Sequence, residues 1–372
     1  MIPMTDDQQI LESKRIISLD AMRGFTIAAM ILVNFPGDEG NVFAPLKHTL
    51  WNGLTPTDLI APFFLFIVGI SIVLAYSRRL EVNRENQHFR KIIIRSIKIF
   101  AVGIFLNLLP DFDFSDLRYT GTLPRIALVF LPCAILYLTT TPKTQAWIGT
   151  IILVAYWLAM TLIPTPGVGK VMLEPGVNLA AWIDTQYLPG KMWQGTWDPE
   201  GILSTFPSIV SGITGLLAGH LLIGKKTATD KVIYLFIIGL TVAAAGYCWG
   251  LTFPVNENLW TSSFVLVSSG IGSMVLAAVY YVVDVKGYRR GTKPGIIFGA
   301  NAISVYVLAD ILALIFYFFP VGGHSVNEHF VRGLVAVGIT PKLASACYAL
   351  LFVGVNFLPA LYLYRKRIFI KL

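Results

Sequence analysis

The sequence has 372 residues, of which 55% are hydrophobic and only 13% charged, and a formal net charge of +8. A water-soluble domain carries roughly 25% charged residues, and half that fraction cannot coat a globule of this size, so the apolar excess must face lipid. The positive charge then reads as the loop asymmetry of a membrane protein and not as a nucleic-acid surface.

Each crossing of about 30 Å of hydrocarbon takes about 20 apolar residues. With no water there to satisfy the backbone, a span is a helix or part of a closed barrel. The apolar runs here are long and lack the alternation of barrel strands. They predict an all-α polytopic protein with about ten transmembrane helices, at 18–36, 56–77, 91–110, 121–141, 145–164, 199–223, 231–252, 260–283, 295–319 and 340–364. Met1 to Arg15 is polar and lacks the layout of a cleaved signal peptide. It reads as a tail, 1–15, ahead of one membrane domain, 16–372. Thr141-Pro142-Lys143-Thr144 alone separates the fourth and fifth spans and predicts a tight hairpin. Cys133, Cys248 and Cys347 lie in apolar runs without metal-ligand spacing and read as buried packing residues.

One set of loops holds Lys14, Arg15, Arg78, Arg79, Arg84, Arg90, Lys91, Lys143, Lys225, Lys226, Lys231, Lys286, Arg289, Arg290, Lys293, Arg365, Lys366, Arg367 and Lys371. The opposite set holds Lys47, Lys170, Lys191, Arg332 and Lys342, with Arg118 and Arg125 near a span edge, a bias of roughly three to one. Both termini are therefore expected in the cytosol of an inner (plasma) membrane protein, and the 38–57 loop outside. Trp51, Trp182, Trp193, Trp197 and Trp260 fall on the outer side. They suit an interfacial aromatic belt or, alternatively, a platform for stacking sugars.

The densest polar cluster is the outer loop from Leu46 to Asp58. His48 has a pKa range suited to taking and returning a proton, and Asp58 is placed to orient its ring. The bland alternative is a solvated loop histidine beside a helix start, since Thr55-Pro56-Thr57-Asp58 has a cap, a proline and an acid at the expected spacing. Polar residues within spans are costly and mark function by default. They include Asp20, Arg23 and Asn34 in the first span, Arg95 and Lys98 in the third, Arg125 at the start of the fourth, and Asn301 and Asp310 in the ninth. Asp20 and Arg23 also fit a local ion pair, and Arg95 and Lys98 fit snorkelling. The sequence has no Walker loop, dinucleotide fingerprint or zinc motif.

These residues lie in ordered stretches that resemble the heparan-α-glucosaminide N-acetyltransferase family. The stretches are Ser18-Leu19-Asp20-Ala21-Met22-Arg23-Gly24, Lys47-His48 with Trp51-Asn52-Gly53-Leu54-Thr55, and Trp197-Asp198-Pro199-Glu200-Gly201. Three more are Pro254-Val255-Asn256-Glu257-Asn258-Leu259-Trp260, Val283-Asp284-Val285-Lys286-Gly287 and Tyr364-Arg365-Lys366-Arg367-Ile368-Phe369. The resemblance implies an acyltransferase domain that moves acetyl from cytosolic acetyl-CoA to the amine of a terminal glucosamine across the membrane. It places the active-site histidine on His48, with Asn34 and Asp58 as further catalytic residues. Arg95, Lys98, Arg23 and Asp20 become candidates for acetyl-CoA. Arg125, Trp197, Asp198, Glu200, Glu257, Asn258 and Asn301 become candidates for the acceptor, the acids having loop capping as their alternative role. No metal is expected. The lysosomal member carries a lumenal domain ahead of the corresponding region and has Gln where Pro124 stands here, so this chain is expected to be a bacterial-type member without that domain. The expected partners are acetyl-CoA, an amino-sugar or glycan acceptor and the lipid bilayer. A homodimer is compatible with the sequence. The alternative reading is a transporter or non-enzymatic membrane protein for a sugar or glycan precursor, but no internal repeat of the transporter kind is visible.

Overall fold

The computed structural model describes residues 16–77, 85–109, 112–320 and 322–370. The expected tail 1–15 and the cations Arg78, Arg79, Arg84 and Lys371 lie outside the described residues. The helices are α1 (Ile17–Asn34), α2 (Ile60–Ser77), α3 (Glu85–Leu108), α4 (Thr122–Thr139), α5 (Pro142–Leu162), α6 (Leu179–Tyr187) and α7 (Ile202–Ile223). They continue with α8 (Ala228–Gly250), α9 (Ser262–Tyr280), α10 (Thr292–Ala300), α11 (Ala302–Ala313), α12 (Val326–Ala336) and α13 (Pro341–Arg365). No strand occurs among the described residues, so the all-α expectation holds.

Eight of these helices are long and apolar enough to cross a membrane, and nine if α10 with α11 is one span. The difference from ten lies at two places. The predicted span 91–110 is helix α3, but Arg90, Lys91, Arg95 and Lys98 crowd its first half and dilute its apolar character. The predicted span 295–319 is bent by 83° between α10 and α11. The break falls at Asn301, which leaves helical geometry. Two outer segments expected as loops contain the short helices α6 and α12.

Local chemistry sets the ends. Thr141 accepts a hydrogen bond from the Thr144 amide at the start of α5, and Pro142 occupies the first helical position. The hairpin between α4 and α5 is thus as tight as its sequence predicts. Asp284 receives the orphan amides of Ile17 (3.1 Å) and Ser18 (3.0 Å), so a distant carboxylate caps α1. Close packing depends on small residues. A Cβ on Gly24 would strike the backbone of Gly295, and one on Gly215 would strike the backbone of Phe66; these positions bring α1 against α10 and α2 against α7.

The main core draws Ile27 from α1, Phe64 from α2, Ile126 from α4, Phe264 from α9 and Phe352 from α13. Helix α7 is central, with 61% of its span window buried, whereas α8 is peripheral at 22%. That position corrects one expectation. Cys133 is buried, but Cys248 on α8 is exposed and Cys347 only half-buried. Trp260 is likewise buried rather than part of an interfacial belt, and its indole donates to Ser211 Oγ at 3.1 Å.

Candidate active site

The loop after α1 folds back onto the turn that begins α2. His48 Nδ1 lies 2.9 Å from Asp58 Oδ1 and 2.7 Å from Glu257 Oε2. Asp58 is fully buried. Its other oxygen accepts the Thr55 amide at 2.7 Å, so it caps the helix start and holds the imidazole together. The capping and orienting readings are therefore both satisfied by one side chain. Glu257 reaches the cluster from the α8–α9 loop. That loop is tied to the His48 loop by Gly53 N to Val255 O (2.8 Å) and Asn256 Nδ2 to Asn52 Oδ1 (3.1 Å). Two of the stretches singled out in the sequence thus meet in space to build one site.

Burial opposes a charge on His48, but the hydrogen bonds to Asp58 and Glu257 outweigh it and hold the ring's pKa up at about 10. Burial pushes Glu257 up to about 7, with the His48 contact opposing and the nearby Asp58 adding to the rise. Near neutrality the cluster's protons therefore lie on the ring and in part on Glu257, while Asp58, held down at about 2 against its burial by the His48 and Thr55 hydrogen bonds, stays ionised. With Nδ1 taken by the acids, Nε2 is the ring nitrogen left for chemistry, on a side chain that is 53% exposed. His48, Asp58 and Glu257 each offer a ligand atom within 4.8 Å of one another. The 2.7 and 2.9 Å separations are those of direct hydrogen bonds, shorter than the roughly 3.4 Å between tetrahedral donors around a cation with bonds of about 2.1 Å.

A second polar knot lies beside it. Arg118 grips Asp198 through Nε (2.8 Å) and Nη2 (2.7 Å) and Glu200 through Nη2 (2.6 Å). Asp198 also accepts from Thr120 Oγ1 and from the amides of Trp193 and Glu200. Its carboxylate is filled by protein donors, so the structure gives Asp198 the capping alternative: it organises the loop. Burial opposes its charge, but the Arg118 contacts hold its pKa below the usual carboxylate range. Trp197 packs edge-on to Trp51 at 5.2 Å. Asn258 is half-buried in the Glu257 loop, and Asn34 is exposed at the last turn of α1.

A cavity of about 550 Å³ opens at the other end of the bundle and is lined by Arg23, Lys91, Arg95, Lys98 and Tyr76 among others. Three of the four residues expected to meet acetyl-CoA thus converge. The fourth, Asp20, lies 3.5 Å from Arg23 as the local pair anticipated. Arg23 also donates to Ser71 Oγ, and Arg95 lies over the Phe130 ring. Asn301, expected with the acceptor residues, lines this cavity instead. Its amide donates to Ile368 O (3.0 Å) and its oxygen accepts from Ile370 N (2.8 Å), pinning the segment after α13 so that Ile370 forms part of the wall.

A smaller pocket of about 30 Å³ is lined by Met30, Ala61, Leu65, Thr122, Arg125, Glu200 and Trp260, and shares Phe64 and Ile126 with the large cavity. One face of α2 connects everything. Asp58, Ala61, Phe64 and Leu65, Val68, Ser71 and Ile72, then Ala75 and Tyr76 recur at helical spacing. From Asp58 to Tyr76 a helix rises about 27 Å, close to the hydrocarbon thickness. Among the contributors that sequence reasoning placed outside the site, Arg118 and Trp260 looked like span-edge residues. Lys91 looked like a loop cation, and Tyr76 carried no signal apart from its place on the α2 face.

Comparison with known proteins agrees with the motifs. Residues 15–176 match the family described as heparan-alpha-glucosaminide N-acetyltransferase, catalytic. The chain is 31% identical to heparan-alpha-glucosaminide N-acetyltransferase of Homo sapiens, across 90% of this chain and 59% of that protein. It is 28% identical to the Mus musculus protein of the same name, across 90% and 60% respectively. The chain spans about three-fifths of the length of these relatives. The resemblance read from the sequence is thereby borne out: over nine-tenths of its length this chain is similar to the heparan-α-glucosaminide N-acetyltransferases, and its first helices, with the His48 loop, match their catalytic region.

Proposed function

We propose that this protein is a membrane-embedded acetyltransferase that carries the acetyl group of cytosolic acetyl-CoA to the amine of a glucosamine-type sugar on the opposite side of the membrane. The observation that carries the reading is the single face of α2 that runs from the four-cation cavity to the His48–Asp58–Glu257 cluster. Acetyl-CoA is multiply anionic and too large to cross a bilayer unaided. Arg23, Lys91, Arg95 and Lys98 suit its phosphates through charge-assisted hydrogen bonds. The apolar stretch between Val68 and Ala61 suits the uncharged arm that bears the thioester.

At the outer end His48 acts as general base through Nε2. An amine attacks only when neutral, and the acids behind Nδ1 raise the ring's proton affinity, so the ring, once deprotonated, takes the amine proton and holds it. Asn34, one turn beyond Met30 on α1, is the proposed side-chain donor to the charge that develops on the thioester carbonyl, a role that rests on the family resemblance. Glu200 and Trp197 border the route by which the sugar arrives. Both termini in the cytosol of an inner membrane, as the Lys and Arg distribution supports, put this cluster on the exterior.

The test is transfer of radiolabel from acetyl-CoA to a panel of amino sugars by the purified protein in detergent. Transfer to glucosamine or a glucosamine-ended glycan is expected. A protein that neither acetylates any amine nor hydrolyses acetyl-CoA, yet moves a sugar across vesicles, would be the transporter instead.

A further inference from the structure

We propose that the small pocket beside Arg125 is the acyl subsite: the Arg125 guanidinium donates to the thioester carbonyl, and the apolar walls restrict the transferred group to acetyl. The inference rests on the acetyltransferase reading and adds the chain length of the donor and a further catalytic residue.

Position comes first. Met30 stands one turn from Asn34, and Ala61 one turn from Asp58. The Trp260 amide donates to the Glu257 carbonyl at 2.9 Å. Two walls of the pocket, Ala61 and Trp260, are thus carried by the segments that supply Asp58 and Glu257, and a third, Met30, by the helix that leads into the His48 loop. Phe64 and Ile126 are walls of both the pocket and the large cavity, so the pocket is the inner end of the route by which a donor arrives.

Chemistry comes second. Arg125 is 5% exposed. Its Nη2 is taken by Pro199 O (2.8 Å) and Ser204 Oγ (2.6 Å), and its guanidinium lies over the Trp260 ring at 4.9 Å. Its buried Nε has no hydrogen-bond partner among the described residues. A buried charged donor that is not fully partnered is costly, and this guanidinium lines the pocket. A thioester carbonyl oxygen held there accepts from the guanidinium, more strongly as that oxygen gains charge.

Size comes third. By the same kind of measure a single water needs about 10–15 Å³, so the roughly 30 Å³ here holds about two heavy atoms, the oxygen and methyl of an acetyl group. Leu65 and Met30 stand in its walls, where a longer acyl chain would meet them.

In the step so assigned, the sugar nitrogen forms a bond to the carbonyl carbon while the oxygen takes up negative charge against Arg125. The carbon–sulfur bond then breaks with its electron pair going to sulfur. The amine proton passes to His48 Nε2 and is finally taken by the coenzyme A thiolate, leaving an amide and a thiol.

The experiment is a set of kcat/KM values for acetyl-, propionyl- and butyryl-CoA in the wild-type protein and three variants. The wild type should favour acetyl over butyryl by at least about 10²-fold, since each methylene is worth about 10- to 200-fold in a tight pocket. Leu65→Ala should raise the propionyl-to-acetyl ratio at least about tenfold. Ala61→Leu fills the pocket and should cut acetyl transfer at least about tenfold, while binding of free coenzyme A, which has no acyl group to seat, shifts less than about twofold. Arg125→Lys keeps the charge but removes the planar guanidinium. It should lower kcat by about 10²- to 10³-fold, with KM for acetyl-CoA nearly unchanged. Intact acetyl transfer with an unchanged acyl ratio in Leu65→Ala, or equal use of acetyl- and butyryl-CoA by the wild type, would overturn the acyl subsite alone. Absence of acetyl transfer by the wild type would take down the enzyme reading and this inference with it.

Discussion

His48 concentrates more of the proposed chemistry than any other residue. Its Nδ1 is held by two acids far apart in the chain while its side chain stays half exposed. His48→Ala should fold and still bind acetyl-CoA, because the cations that suit the nucleotide lie at the far end of α2. Transfer should fall by at least about 10²-fold, the lower end of a general base's contribution. Combining it with Asp58→Asn should cost little more, since the two act as a unit. Near wild-type turnover by a folded His48→Ala protein would remove the assignment. Glu257→Gln tests the electrostatics. The carboxylates raise the His48 pKa, so deleting one must lower it. A base has to be deprotonated to work, and the acidic limb of the pH–rate profile should therefore move to lower pH. An unmoved limb would mean that a group other than His48 is titrating. At this scale the sequence was informative where residue type is rare for its surroundings. His48, Asp58 and the cations of α1 and α3 stand out against apolar neighbours. Glu257 was legible as an outer acid but not as the third member of the cluster, because 209 positions separate it from His48.

Helix α3 is the element whose character is most divided, with cations on its first half and apolar residues after them. Arg95 and Lys98 face a cavity shared with Arg23 from α1 and Asn301 from the α10–α11 break. A phosphate contact made equally before and during the reaction changes affinity and not turnover. Arg95→Ala should therefore raise KM for acetyl-CoA about tenfold, the loss of one charge-assisted hydrogen bond, and leave kcat within about twofold. An unchanged KM with a normal fold would make Arg95 a packing residue against Phe130. The helices themselves were legible because long apolar runs admit few alternatives in lipid. The break at Asn301 was not. Gly299 lies just before Ala300-Asn301-Ala302, but a single glycine in an apolar run is tolerated in a helix, and the signal for the bend lies in the backbone of Ile368 and Ile370, to which the Asn301 side chain is bound.

For the whole molecule, orientation is the claim that everything else presupposes. In a variant whose Cys133, Cys248 and Cys347 are replaced, Glu39→Cys should react with an impermeant thiol reagent added to intact cells. Lys226→Cys should react only after the cells are opened. The replacement matters because Cys248 is exposed on peripheral α8 and would otherwise add a background. The reverse labelling pattern would invert the topology and the proposed direction of transfer. The pairing of the cavity and the pocket has one more consequence. A membrane that stores energy as an ion gradient cannot tolerate a wet path from one face to the other. On the proposed reading, polar groups enter this bundle from both ends and approach each other along α2. The two compartments meet at Phe64 and Ile126, bulky side chains with no hydrogen-bonding atoms. The same two side chains that let a slender thioester arm slip past would then be the electrical insulation of the cell at this point, sealing the bilayer against protons whenever the donor is absent.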